Sequence, residues 1–198
     1  MQTTSQAIKA YAEALPEGAT LSARELLHLG ERAAVDQALS RLVRRGELMR
    51  VKRGLFAQPV KTRFGSRAPS VEAVVEHIAK STGERVSQSG ASAANLLGIS
   101  TQNPSRQVFW TSGPSRHLKL GAQSVELKHV PSWQLRAPNS RAGHAFRALA
   151  YFGKSEAAQA LRCIKATLNE EEKRELLSLR ASAPTWMAKE LSALAPSQ

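Results

Sequence analysis

The chain is poor in several residue types that chemistry relies on. Cys163 is its single cysteine in 198 residues. No intrachain disulfide can form, which suits the reducing cytoplasm. Cys163 falls in mid-helix, away from a helix start that would activate a thiol, so a buried and inert side chain is expected. Aspartate is equally scarce: Asp36 is the only one among 16 acids. Proteins that transfer nucleotidyl groups or cut nucleic acids hold Mg²⁺ with clustered carboxylates, often closely spaced aspartates. The one tight acidic run, Glu170-Glu171-Glu172, follows Asn169 and reads as the first turn of a helix, where carboxylates favour the dipole. The five histidines, His28, His77, His117, His129 and His144, have no metal-ligand spacing. No phosphate-cradling glycine loop is present. These gaps exclude the familiar metal, cofactor and nucleophile constellations, so no catalytic residue, metal or cofactor is assigned. No apolar run approaches the roughly 18 residues of a membrane span. The opening stretch MQTTSQAIKAYAEAL lacks the core of a signal peptide.

Negative charge is also in deficit. Lys and Arg number 28 against 16 acids, giving a formal net charge of +12 and a pI near 10.6. That balance points to a polyanionic partner, or to an acidic protein or membrane surface. The excess is concentrated. Between Arg41 and Arg67 lie nine basic residues and one acid, Glu47, a net +8 in 27 residues. A charge run is ordinarily a solvated face, so its meaning depends on what carries it.

Here it is carried by a helix and a hairpin. Val35, Ala38, Leu39 and Leu42 fall at i, i+3, i+4 and i+7, one apolar stripe. Ala33, Gln37, Ser40, Arg41 and Arg44 take the opposite side. Gly46 stops the helix just after Arg44 and Arg45. Residues 48–51 and 55–58 then read as strands around a Lys52-Arg53-Gly54 turn. Upstream, residues 4–14 predict a first helix broken by Pro16-Glu17-Gly18. Ser22 and Glu25 form a capping-box pattern for a second, with Leu26 and Leu27 buried. Helix, helix, tight turn, helix and hairpin is the order of a winged helix-turn-helix. A three-helix bundle without a ligand shares that order, but not the basic outer face and basic turn.

The expected fold class is therefore α+β: a winged helix-turn-helix over 1–58, a basic linker over 59–70, and a mixed C-terminal domain over 71–198. The linker assignment rests on two prolines, a glycine and three basic residues. The C-terminal part predicts a helix from Ser70 to Lys80, a small-residue helix from Ser89 to Leu97, and a meander of strands at 107–111, 116–120 and 124–130. Helices near 141–152, 154–167, 170–181 and 184–194 follow. On this reading, double-stranded DNA is the partner. Arg45, Arg50, Lys52 and Arg53 neutralise phosphates, while Gln37, Ser40, Arg41 and Arg44 face base edges. Two other readings stay open. One is an interaction module whose basic surface meets an acidic protein; the other is a small enzyme whose site has no recognised motif.

Three stretches also carry a family resemblance: the N-terminal helices, the G-E-L-x-R-V-x-R-G-L-F wing from Gly46 to Phe56, and S-G-A-S-A-A-N-L-L-G-I-S-T-Q from Ser89 to Gln102. Together they resemble the AbiEi-type antitoxins of bacterial abortive-infection systems, most of all a short branch of that group. The resemblance spans most of residues 1–152 and leaves 154–198 outside it. It implies a regulator that represses its own promoter through the winged helix. It further implies a C-terminal domain that counters a toxin of nucleotidyltransferase fold. The single cysteine places the protein in the cytoplasm. It is expected as a monomer or homodimer, a palindromic promoter calling for a dimer or two monomers side by side.

Overall fold

The computed structural model describes residues 3–101 and 106–195. It is an α+β protein with seven α-helices and nine strands among those residues. The chain divides into two compact units, Met1–Glu84 with His117–Val125, and Arg85–Arg116 with Glu126–Gln198.

The first unit begins with α1 (Thr4–Glu13). Thr3 caps it reciprocally with Gln6, its hydroxyl accepting the Gln6 N–H and its own N–H bonding Gln6 Oε1. Ile8 and Ala12 form the buried face of α1. After the Pro16–Gly18 break the chain runs as β1 (Thr20–Ser22). The expected second helix does not form. Ser22 and Glu25 do bond reciprocally, Ser22 N–H to Glu25 Oε2 at 2.9 Å and Glu25 N–H to Ser22 Oγ at 3.4 Å. Only four residues separate Glu25 from Gly30, too few to propagate an α-helix. The capping pair instead opens a turn and a short 3₁₀ segment, Leu27–Leu29. Leu26 is fully buried there, whereas Leu27 is exposed.

The next helix, α2 (Arg32–Arg44), buries Val35, Ala38, Leu39 and Leu42, the stripe expected from spacing. Its end is a Schellman motif: Gly46 takes φ +70°, its N–H bonds Val43 O, and Glu47 N–H reaches back to Leu42 O. Strands β2 (Met49–Lys52) and β3 (Leu55–Ala57) form the wing. β3 pairs antiparallel with both β1 and β2, giving the order β1-β3-β2. The α1, α2 and sheet side chains close one core around Ile8, Leu21, Leu26, Leu39, Leu42 and Phe56.

The stretch expected to be a linker is structured. Residues 60–67 make a second hairpin, β4 (Val60–Thr62) and β5 (Gly65–Arg67). The first unit also continues past residue 70. The next helix, α3 (Val71–Thr82), is capped by Ser70 and ends at the left-handed Gly83. It packs on the sheet side: His77 Nδ1 accepts the Thr20 N–H at 3.1 Å. A Cβ on Gly18 would lie 2.5 Å from Ala73 Cβ, so glycine is required for that approach.

In the second unit β6 (Val86–Gln88) pairs antiparallel with β7 (Gln107–Thr111). With β8 (Arg116–Leu120) and β9 (Gln123–His129) the sheet order is β6-β7-β9-β8, in which nearly all of β8 and the start of β9 belong to the first unit. β7 and β9 are neighbours, so the expected meander is not what forms. Along β8, Leu118 and Leu120 are buried while His117 and Lys119 are exposed, as the alternation predicts. The small-residue segment is α4 (Gly90–Leu96), which buries Gly90, Ala93 and Ala94. It lies against α5 (Arg141–Thr167), whose helical geometry breaks at Gly153. Gln102, the last residue of that sequence segment, is outside the described residues. Two helices, α6 (Glu170–Ser178) and α7 (Thr185–Ser192), complete the unit. Asn169 and Glu172 cap α6 as a box, which accounts for the acidic triplet structurally. Their apolar faces, with Phe146, Leu149, Leu161, Ile164, Met187 and Leu191, form the second core. Cys163 is exposed, not buried: it lies off the Ala157, Ala160, Leu161, Ile164 stripe of α5.

One buried charge anchors the start of α5. Arg147 is fully buried and donates to Arg136 O at 3.2 Å and Pro138 O at 2.8 Å. Burial pushes its guanidinium down to about 10. It holds a tight loop in which Ala137 has φ +45°.

Candidate nucleic-acid interface

The solvent side of α2 is built by default from the residues its stripe leaves out. Gln37, Arg41 and Arg44 are exposed along it, and Ser40 is half-buried. All four line one shallow depression of about 450 Å³, together with Asp36. Two details modify the sequence reading. The Ser40 hydroxyl donates to Asp36 O at 2.9 Å, one turn back, so it is occupied within its own helix. Asp36 places a carboxylate on the same face, paired with Arg32 Nε at 2.9 Å. The outward donors are thus the Gln37 amide and the two guanidinium groups, while the Ser40 oxygen keeps its acceptor capacity. An amide suits adenine and a guanidinium suits guanine in a major groove.

A second groove, about 510 Å³, runs between the start of α1 and α2. Thr3, Gln6, Lys9, Gln37, Arg41 and Arg45 are among its lining residues. Glu47 sits in it, but its charge is compensated. Lys9 Nζ lies 2.7 Å from Glu47 Oε2, and Arg45 lies 4.0 Å away. That bond lowers the Glu47 carboxyl and raises the Lys9 ammonium relative to their ordinary values. The groove keeps a net positive lining, although Arg45 is partly engaged and Lys9 has joined it from a distant helix.

On the wing, Lys52 and Arg53 are exposed at the turn, where Gly54 takes φ +75°. The pairing slips between Arg50 and Lys52, a bulge that twists the strand. Arg50 is exposed, and its guanidinium lies 5.6 Å from the Phe56 ring centroid. The expected site residues therefore fall into two groups, Gln37, Ser40, Arg41, Arg44 and Arg45 on α2 and its end, and Arg50, Lys52 and Arg53 on the wing. Sequence reading missed Asp36, Lys9 and Glu47. Asp36 was within reach, since Arg32 and Asp36 stand at i,i+4 and Asp36 and Ser40 again at i,i+4. The Lys9–Glu47 pair depends on how α1 crosses α2 and leaves no local pattern.

Among the described residues no three His, Cys, Asp or Glu side chains are grouped to hold a metal. No described helix is long and apolar enough to cross a membrane.

Comparison with known proteins bears on the fold. A solved structure, that of the RV2827C protein from Mycobacterium tuberculosis, superposes with a TM-score of 0.51 at 17% identity, covering 96% of this chain and 75% of that one. At that identity the likeness speaks for the fold alone. No curated protein matches the chain. A family model matches residues 7–176, and the chain belongs to that family, a family of unknown function (DUF6088).

Proposed function

We propose that the protein is a DNA-binding transcriptional regulator and the antitoxin of a two-gene operon. Its winged helix reads the operon's own promoter, and its second unit neutralises a toxin of nucleotidyltransferase fold. The observation that carries the DNA-binding half is the outward face of α2. Gln37, Arg41 and Arg44 stand exposed around one depression, on a helix that the sheet and α1 bury from behind. The wing adds Arg50, Lys52 and Arg53, which supply affinity without sequence choice. The protein is read as a binder and not as an enzyme. A palindromic promoter site would bring two copies together on the DNA.

The antitoxin half is supported by the resemblance of Gly46–Phe56 and Ser89–Gln102 to AbiEi-type antitoxins. It is also supported by the extent of the second unit, which has its own sheet pairing and core. Co-expression with the neighbouring gene tests it. The wild-type chain is expected to relieve toxin-induced growth arrest, and the Arg41→Ala, Arg44→Ala double variant is expected to relieve it equally. Rescue that disappears with the double variant would mean that protection runs through DNA binding, and the two-function proposal would fall. If an acidic protein, and not DNA, retained the wild-type chain on the same basic surface, the DNA-binding half would fall instead.

A further inference from the structure

Resting on the DNA-binding reading, we propose that the β4–β5 hairpin is a second DNA-contacting wing, one that drives Phe64 between base steps of the minor groove with Arg63 beside it. Phe64 is 87% exposed, well beyond Leu96 at 57% and the other exposed large apolar side chains of the described residues. The hairpin does not need it. Val60, Lys61 and Thr62 pair with Arg67, Ser66 and Gly65, which leaves Arg63 and Phe64 alone as a two-residue turn. The positive φ of this hairpin falls on Gly65, at +118°, so the turn itself places no demand for a ring at position 64. The turn is closed by Thr62, whose Oγ1 donates to Gly65 O at 2.8 Å and accepts the Phe64 N–H at 3.2 Å. The ring is thus presented to solvent on a fixed support.

The support is itself fixed to the first unit. Lys61 Nζ lies 3.4 Å from Glu13 Oε1, and Arg67 lies 3.1 Å from Glu17 Oε1, which also accepts the Ser70 N–H. A two-stranded hairpin is marginal alone, and these links give it a defined place. β3 runs away from the Arg53–Gly54 turn, so the chain enters the second hairpin from the opposite end of the sheet. The two basic tips are separate.

The chemistry of the tip favours duplex DNA. Residues 59–70 contain three cations and no acid. Lys61 and Arg67 have carboxylate partners, while the Arg63 guanidinium is stacked 4.6 Å from the Phe64 centroid. A cation alone would serve a phosphate contact. An added flat ring gains most by stacking on a base, and an apolar wedge beside a basic residue is how proteins unstack and bend DNA from the minor groove.

The test uses the full chain and a duplex of about 40 base pairs from the region upstream of its gene, end-labelled for energy transfer, a length that spans several helical turns. Phe64→Ala should leave the melting temperature unchanged, weaken binding about tenfold, or roughly 1.4 kcal/mol, and relax the protein-induced bend. Phe64→Trp should keep both. If Phe64→Ala binds and bends the duplex like wild type, the wedge is refuted while the α2 reading stands. A variant that loses only self-association in sedimentation, or only attachment to phosphatidylserine vesicles, likewise overturns it by naming another occupant. A wild-type chain that binds no duplex removes the DNA-binding reading, and the wedge with it.

Discussion

Gly143→Ala is expected to destabilise the second unit by about 3 kcal/mol, lowering its melting transition by roughly 12–24 °C. Two effects oppose each other. Alanine is the better helix former by about 1 kcal/mol, and Gly143 lies in the first turn of α5. But a Cβ there would overlap Ala137 O, with Ala137 C at 2.7 Å, both of them backbone atoms. The Ala137 loop has no slack to yield. Arg147 holds it through the carbonyls of Arg136 and Pro138, and Ala137 already sits at φ +45°. Steric exclusion exceeds propensity, so the sign is destabilising. Thermal unfolding followed by circular dichroism checks it. An unchanged or raised transition would show that the loop can move away from α5.

The second large effect concerns DNA. The Arg41→Ala, Arg44→Ala double variant is expected to lose roughly a hundredfold in affinity for the upstream duplex, about tenfold for each guanidinium removed from a base edge. Its affinity for a random duplex should fall far less. Arg53→Ala should weaken both duplexes alike and reduce the salt slope by about one, since a phosphate contact carries no sequence information. Neither set touches a core, as all three side chains are exposed. Fluorescence anisotropy against both duplexes separates the classes. Equal losses on both DNAs for all three positions would show that α2 is not the reading element.

Where residues repeat with a helical period against a core, the sequence was enough. The Val35, Ala38, Leu39, Leu42 stripe, the Gly46 stop and the Asn169–Glu172 cap are local, and each forms as spacing implies. Where a segment has no buried face, the pattern is silent. The β4–β5 hairpin is exposed along nearly its whole length, so no apolar alternation marks it, and its proline and glycine content imitates a linker. The turn after Ser22 fails differently: its capping contacts form, but they bound too short a run to become a helix. The end of the first unit was illegible because it depends on tertiary contacts, Gly18 against Ala73 and His77 against Thr20, between residues more than fifty positions apart. The candidate site shows the same division. Which side of α2 faces water was readable; that Ser40 spends its hydroxyl on Asp36, and that Lys9 arrives beside Glu47, was not.

The most direct test of DNA binding by the winged unit is the affinity of the full chain for its upstream duplex across a salt series. On the proposed reading Arg45, Arg50, Lys52, Arg53 and neighbouring basic side chains would neutralise about four to six phosphates, so the logarithm of the association constant should fall against the logarithm of salt concentration with a slope of roughly −4 to −5. A slope near zero, or no measurable binding at about 50 mM salt where phosphate contacts are strongest, would contradict it.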